Sequence, residues 1–338
     1  MRHSQAEKME VIRLVEESAL SIRRTLTEFG IARSTFYKWY HRYCEYGYEG
    51  LADRKPAPRK FWNRIPQTVK EQVVEIALEQ PEQSSRELAW HITDTYGYYI
   101  SESSVYRILK SHDLITSPAY ILISASDHFQ NPTKEVHELW QTDFSYFRIV
   151  GWGWYYLSTV MDDFSRYILA WKLTVGMGAS DVTETLDMAR AKAGIDSVRV
   201  RHRPRLLSDN GSCYISKELK EYLDDRQMTH TRGKPYHPQT QGKIERYHRS
   251  IKNVINLQNY YLPGELELEI ERFVEYYNNQ RYHESLDNLT PATVYSGNRR
   301  ECLSIRDMIK RKTLKARKAF NLGKGGRKNQ LLLTRSVS

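Results

Sequence analysis

Apolar positions recur at helical spacing through the first third of the chain and give way to strand-like runs after it. In the stretch Gln5 to Gly47, Val11, Ile12, Leu14 and Val15 form one stripe. Ser21 to Phe29 reads as a second helix, Gly30-Ile31 as a turn, and Arg33 to Tyr43 as a third helix with Phe36, Trp39, Tyr40 and Tyr43 at core-like spacing. Two helices across a short Gly-containing turn predict a helix-turn-helix unit. The plan repeats between Gln67 and Ile115. Val69 to Leu78 is a helix, Ser84 and Glu87 stand at capping-box spacing for a second, and Ser101 or Glu102 opens a third with Val105, Ile108 and Leu109 inward.

The period changes at Glu138. Glu138 to Val150, Trp154 to Asp163 and Arg166 to Leu173 read as an antiparallel meander, with Gly151-Trp152-Gly153 as its first turn. A helix over Ser180 to Ala193 follows, then a short strand, Arg205-Leu206-Leu207, stopped by the turn signal Asn210-Gly211. From Gly242, Ile244, Tyr247, Ile251, Val254 and Ile255 fall on one helical face, and Glu245, Arg249 and Lys252 on the other. Glu265 to Gln280 is a further amphipathic helix. The expected division is therefore 1–50 and 67–116 as helix-turn-helix domains, 51–66 and 117–136 as linkers, 137–298 as an α/β domain, and 299–338 as a basic tail.

Composition narrows the classes. The 338 residues are 40% hydrophobic, enough for sizeable cores, yet no apolar run approaches the ~18 residues that span a bilayer. No hydrophobic signal region follows Met1, so no secretory signal is expected. Cys44, Cys213 and Cys302 are scattered, without disulfide or zinc spacing. Charge is concentrated at the ends. Residues 1–64 carry 13 basic and 8 acidic side chains and residues 299–338 carry 13 and 2, whereas residues 143–298 carry 20 of each. Clustered Lys and Arg point to a phosphate backbone as partner.

That clustering selects candidate contacts. The helix of a helix-turn-helix that enters the major groove does so N-terminus first, which puts Arg33, Ser34, Thr35, Tyr37 and Lys38 outward in the first unit. Ser103, Ser104, Tyr106, Arg107 and Lys110 would face out in the second. Arg54, Lys55, Arg59 and Lys60 alternate with prolines in an extended linker that could follow a groove. The tail, with Lys310-Arg311-Lys312 and Arg317-Lys318, would bind phosphates without reading sequence. The competing readings are plain helical hairpins and solvated basic segments.

Three acids carry the candidate chemistry. Asp143 lies in Trp140-Gln141-Thr142-Asp143-Phe144, at the start of an extended aromatic run. Asp209 lies in Leu206-Leu207-Ser208-Asp209-Asn210-Gly211, at the end of a strand. Glu245 lies on the helix opened by Gln241-Gly242-Lys243-Ile244-Glu245-Arg246, with 35 residues between it and Asp209. Carboxylates from separate elements can hold hard cations such as Mg²⁺, which take oxygen ligands. Two such ions ~4 Å apart stabilise both the attacking and the leaving oxygen of an in-line phosphoryl displacement. An ordinary salt-bridged helix face is the competing account of Glu245 and Arg249.

These motifs and their spacing resemble the Asp-Asp-Glu transposases and retroviral integrases. Ser-Asp-Asn-Gly at 208–211 and His-Pro-Gln-Thr-Gln-Gly-Lys-Ile-Glu-Arg at 237–246 look most like bacterial insertion-sequence transposases. The resemblance covers roughly Glu138 to Gly297 and, more loosely, the N-terminal third. It implies a ribonuclease-H-like mixed sheet flanked by helices, behind two all-α helix-turn-helix domains. It implies Asp143, Asp209 and Glu245 as catalytic ligands of two Mg²⁺ ions, with Mn²⁺ as the expected substitute. It further implies double-stranded DNA as partner, with Gln239, Gln241, Lys243, Arg249 and Lys252 near it, and a homo-oligomeric complex in a bacterial cytoplasm, nucleoid-associated when bound to DNA. The expected activity is cleavage at the 3′ ends of terminal inverted repeats followed by strand transfer. The alternatives are a transposase-derived DNA-binding regulator and a nuclease that cuts without joining. His237 and His248 match loop and helix positions that are not ligands in the resembling family. Asp162 and Asp163 are expected to be turn and structural ion-pair residues.

Overall fold

The computed structural model describes residues 3–53, 61–115, 133–195, 203–233, 242–323 and 333. It divides into two compact units, Met1–Phe61 and Trp62–Ser338.

The first unit holds three helices, α1 (Gln5–Glu17), α2 (Ile22–Glu28) and α3 (Arg33–Tyr46), and a closing 3₁₀ turn, Tyr48–Leu51. Ser4 caps α1 through a capping box with Glu7. Of the predicted stripe, Ile12 and Val15 join Leu26, Phe36 and Leu51 in one buried cluster with Val11 at its edge, while Leu14 is 39% exposed. The closing turn is drawn in by Lys8, a buried cation whose Nζ donates to Leu51 O (3.1 Å) and Asp53 Oδ1 (2.5 Å).

The second unit opens with α4 (Gln67–Glu79), α5 (Ser85–Tyr96) and α6 (Glu102–Ser111). Ser84 and Glu87 make the expected capping box. Val73, Leu88, Ile92, Val105 and Ile108 are among the residues of its core. Then come β1 (Leu139–Ile149), β2 (Gly153–Asp162), β3 (Ile168–Thr174), α7 (Ala179–Ala193), β4 (Arg205–Ser208), α8 (Lys217–Asp225), β5 (His230–Arg232), α9 (Gly242–Ile255), α10 (Pro263–Asn279), α11 (Pro291–Tyr295) and α12 (Arg299–Asn321).

The sheet runs in the order β3-β2-β1-β4-β5. Its first three strands are the antiparallel meander, and β4 and β5 add in parallel to β1. This is the mixed, ribonuclease-H-like sheet expected from the sequence. Side chains alternate faces along a strand, and the two cores follow that parity. Trp140, Val160 and Leu206 pack with Val182, Leu186, Leu219 and Leu223 of α7 and α8. Phe147, Ile149, Leu157 and Met161 pack with Ile244, Tyr247, Ile251, Ile270 and Phe273 of α9 and α10.

Val254 was placed on the inner face of α9, but it is 48% exposed; His248, 7% exposed, is turned inward instead. Residues 299–321 are a helix rather than a tail. Its inner face buries Arg306, Thr313 and Arg317. Arg306 pairs with Asp94 Oδ2 (2.6 Å) and donates to Asn288 O (2.9 Å), and Arg317 Nε donates to the Tyr98 hydroxyl (2.7 Å). The Lys/Arg density that reads as a solvated tail is an amphipathic pattern whose inner face is cationic. Aromatic faces and carbonyls satisfy its guanidiniums, which can be buried only when so paired.

Candidate active site

The odd-numbered residues of β1 face α9, and this fixes where Asp143 points. Gln141, two residues earlier, aims the same way. Its Nε2 donates to Asp163 Oδ1 (2.7 Å), and its Oε1 accepts from the backbone N–H of Ile244 (3.1 Å) at the start of α9. Asp163 in turn accepts from Lys243 Nζ at Oδ2 (2.6 Å) and at its carbonyl (3.0 Å), and from Thr133 Oγ1 (2.5 Å). Gln141 is fully buried, Asp163 2% and Lys243 9% exposed. A fully paired buried network of this kind fixes geometry because each broken link strands a polar group out of water. The first turn of α9 is therefore pinned to β1 next to Asp143. Lys243, expected to face DNA, is part of this pin.

Asp209 comes to the same place by register. Trp140 pairs with Leu206 and Gln141 with Leu207 in parallel, so two residues on, Asp209 follows the end of β4 level with Asp143. The turn holds it tightly: Gly211 N donates to Asp209 Oδ1 (2.8 Å), and a Cβ on Gly211 would stand 3.0 Å from that oxygen. Asn210 Nδ2 donates to Gly233 O (2.8 Å), tying the turn to the end of β5. Both carboxylates act on one neighbourhood. Burial pushes the Tyr214 hydroxyl well above its ordinary pKa, with Asp143 the next contributor and Asp209 a further one; the Cys213 thiol is pushed up by burial and then by Asp209.

Glu245 is exposed on the first turn of α9. Three residues on, His248 Nδ1 stands 3.2 Å from Asp143 Oδ2. Residues three apart are neighbours on one helical face, so the acid of α9 lies one turn from the contact between α9 and Asp143. Oxygen donors of this kind suit a hard cation. Among the described residues, however, no three of His, Cys, Asp and Glu are grouped closely enough to hold a metal ion as they stand, and one oxygen of Asp143 faces His248.

The neighbouring pair of acids is structural. Asp162 accepts from the backbone N–H groups of His137 and Ser165 (2.8 Å each) and from Ser165 Oγ (2.6 Å), which closes the turn between β2 and β3. Asp163 is the partner of Lys243.

The expected DNA-facing residues divide. Arg33, Ser34 and Lys38 are exposed on α3, with Thr35 and Tyr37 half-buried and Arg33 5.9 Å over the Tyr37 ring. On α6, Ser103, Arg107 and Lys110 are exposed, and Arg107 Nε donates to Ser103 O (2.9 Å). Ser104 is half-buried against Ser101 Oγ (2.8 Å). Arg249 is exposed, while Lys252 is half-buried with its Nζ 4.0 Å over the Tyr146 ring. Arg54, Lys55, Arg59, Lys60, Gln239 and Gln241 lie outside the described residues. Asp163 is the ion-pair residue expected from the sequence, with Lys243 as its partner; sequence reasoning missed the contact of His248 with Asp143 and the link that Gln141 makes to α9. The available signals were the i, i+3 spacing from Glu245 to His248 and the shared parity of Gln141 and Asp143.

Comparison with known families agrees with this architecture. Two integrase core domain models match, over residues 133–238 and 226–291, and two homeodomain-like domain models over residues 2–52 and 35–109. The transposase for insertion sequence element IS629 of Shigella sonnei is 27% identical over 189 residues, covering 55% of this chain and 61% of that protein. The Gag-Pro-Pol polyprotein of mouse mammary tumor virus is 32% identical over 132 residues, covering 38% of this chain and 7% of the polyprotein. This chain thus spans less than two thirds of either relative. A solved structure of the HTLV-2 integrase catalytic core domain in complex with magnesium is 20% identical, covers 47% of this chain and 96% of that one, and superposes with a TM-score of 0.38. Residues 133–291 are therefore an integrase core domain behind two homeodomain-like helix-turn-helix domains, in a chain that resembles insertion-sequence transposases.

Proposed function

We propose that this chain is a metal-dependent DNA transposase. Its helix-turn-helix units bind the terminal inverted repeats of an element. Its core hydrolyses a phosphodiester at each 3′ end, and the freed hydroxyl then attacks target DNA by direct transesterification. The observation that carries the reading is that Asp143 on β1 and Asp209, just past the end of the adjacent parallel strand β4, come level with each other, with the helix that bears Glu245 in contact with Asp143 through His248.

Asp143 and Asp209 would hold a divalent metal, Mg²⁺ or Mn²⁺, with Glu245 completing a second site. A metal there supplies Lewis-acid stabilisation of the attacking and leaving oxygens. The chain's own residues do the rest. Gln141, Asp163 and Lys243 keep the first turn of α9 against β1, so that Glu245 is presented to the two aspartates. His248 occupies the second oxygen of Asp143 and orients that carboxylate. Arg249, exposed one turn beyond Glu245, offers a guanidinium to the phosphates of the bound end. Two ends must be joined to one target, so a homo-oligomer on duplex DNA is the expected working form.

The test uses the full chain with a labelled, pre-cleaved element end, a plasmid and Mg²⁺. Joined product is expected. Asp143→Asn, Asp209→Asn and Glu245→Gln should each abolish cleavage and joining while leaving end binding in place. Substantial Mg²⁺-dependent joining by any of the three would refute the assignment. Testing the N-terminal units and the core as separate fragments would disturb the fold, because it parts Arg306 from Asp94 and Arg317 from Tyr98.

A further inference from the structure

We infer that the outer face of α12 is a phosphate-contacting ridge for the duplex addressed by α6, and that the inner face of α12 fixes the ridge beside the N-terminal end of α6. This rests on the reading that the second helix-turn-helix unit binds duplex DNA.

The inner face of α12 is docked at three points. Arg306, 6% exposed, holds both oxygens of Asp94 (2.8 and 2.6 Å) with its guanidinium 4.4 Å over the Trp90 ring of α5. Thr313 Oγ1 accepts from Tyr99 N (3.0 Å). Arg317, 3% exposed, donates to the Tyr98 hydroxyl (2.7 Å) and to Tyr99 O (2.5 Å). Tyr98 and Tyr99 lie just before Ser101, the N-cap of α6. The middle of α12 is thus fastened to the segment that delivers the first turn of α6, the end of such a helix that enters a groove. Lys310 Nζ stands 5.2 Å over the Tyr99 ring, at the edge of this joint.

Burial sorts the cations. Arg306 and Arg317 are consumed by the joint and cannot reach a ligand. Arg311, Lys312, Lys315 and Lys318 are exposed on the other side. The acid among them, Asp307, is paired with Arg311 (2.7 Å). The stripe borders a shallow open groove of about 490 Å³ lined, among the described residues, by Ser304, Asp307, Met308, Arg311, Lys312 and Lys315. A row of lysines with mobile ammonium ends, next to a groove-entering helix, suits the evenly charged backbone of duplex DNA. Such contacts set register and orientation without reading bases.

The experiment measures binding of the full chain to a random-sequence duplex and to an element end across 50 to 200 mM salt. The variants are the triple Arg311→Gln, Lys312→Gln, Lys315→Gln and, separately, Arg107→Ala with Lys110→Ala on α6. Each phosphate contact contributes about −0.9 to the slope of log K against log salt. Losing three contacts should flatten the slope by roughly 2.7 units, so wild-type affinity should fall about 40-fold more than the triple variant's over that range. Preference for the element end over random duplex should stay the same, and so should thermal stability, since the three side chains are exposed. A wild-type slope in the triple variant overturns the inference. If the α6 variant nevertheless weakens binding, the reading of the second unit survives; if neither variant matters, that reading falls as well.

Discussion

Replacing Lys243 by Met tests the joint that presents Glu245. The variant keeps the stem of the side chain and deletes the ammonium that stands 2.6 Å from Asp163 Oδ2 in a site where the two side chains are 9% and 2% exposed. Removing one partner of a buried ion pair costs ~3–5 kcal/mol, because the other charge stays buried without compensation. Asp163 keeps Gln141 Nε2 and Thr133 Oγ1 as donors, which places the expected loss near the lower end, ~3 kcal/mol. At ~2–4 °C per kcal/mol for a domain of this size, the thermal midpoint of the second unit should drop by roughly 6–12 °C. Activity should fall further than folding alone explains. At a temperature where the variant is fully folded, strand transfer should be reduced while binding of the element end is retained, since the change releases the helix turn carrying Glu245. Adding Asp163→Asn removes the stranded charge. The double variant should therefore regain stability relative to Lys243→Met, with a coupling of at least ~1 kcal/mol. Full stability in the single variant, or strict additivity in the double, would refute the argument.

Two other changes probe the fold away from the site. Burial, reinforced by Arg281, Arg166 and Arg86, pushes the His283 imidazole down to about 3. Its folded pKa lies below the unfolded value, so the unfolded chain binds the extra proton between the two. Stability should be full above about pH 6.5 and fall as pH drops towards 3, by about 2 kcal/mol at pH 5; His283→Asn should flatten that dependence in urea titrations, and an unchanged slope would exclude His283 as its source. In the first unit, a Cβ on Gly50 would stand 2.2 Å from the Arg42 carbonyl oxygen and 2.9 Å from Tyr46 Cβ. Gly50→Ala should cost about 1–3 kcal/mol, seen as earlier melting of residues 3–53 in hydrogen exchange with the second unit unchanged; equal protection of both units would show that the turn can relax.

The helices of both N-terminal domains were legible because their apolar residues recur at the helical period and their caps are local. The Ser84–Glu87 box needs only three residues of chain to declare itself. The meander was legible for the same reason, through runs of β-branched and aromatic residues between turns. Strand β5 and helix α8 were passed over. His230 to Arg232 spans three residues, too short for any period to register, and it is a strand only because β4 lies beside it. Lys243 and the residues after 299 were misplaced for a related reason. A Lys or Arg in sequence looks solvated, and whether it is buried depends on whether a distant carboxylate, carbonyl or aromatic ring is brought to it.

The same division holds for the candidate site. Sequence by itself singled out the three candidate acids, because their residue types, their flanking turns and the 35-residue separation of Asp209 from Glu245 are properties of the chain. It also determined that Asp209 closes a strand and that Glu245 rides a helix. Only the tertiary structure decided that Asp209 ends level with Asp143, since that follows from parallel pairing between segments more than sixty residues apart. Only the tertiary structure decided that Asp163 and Lys243 meet in the interior and that His248 closes on Asp143. Local periodicity is written in neighbouring residues. The partner of a buried charge is chosen by long-range packing, where the cost of leaving that charge unpaired exceeds any local preference.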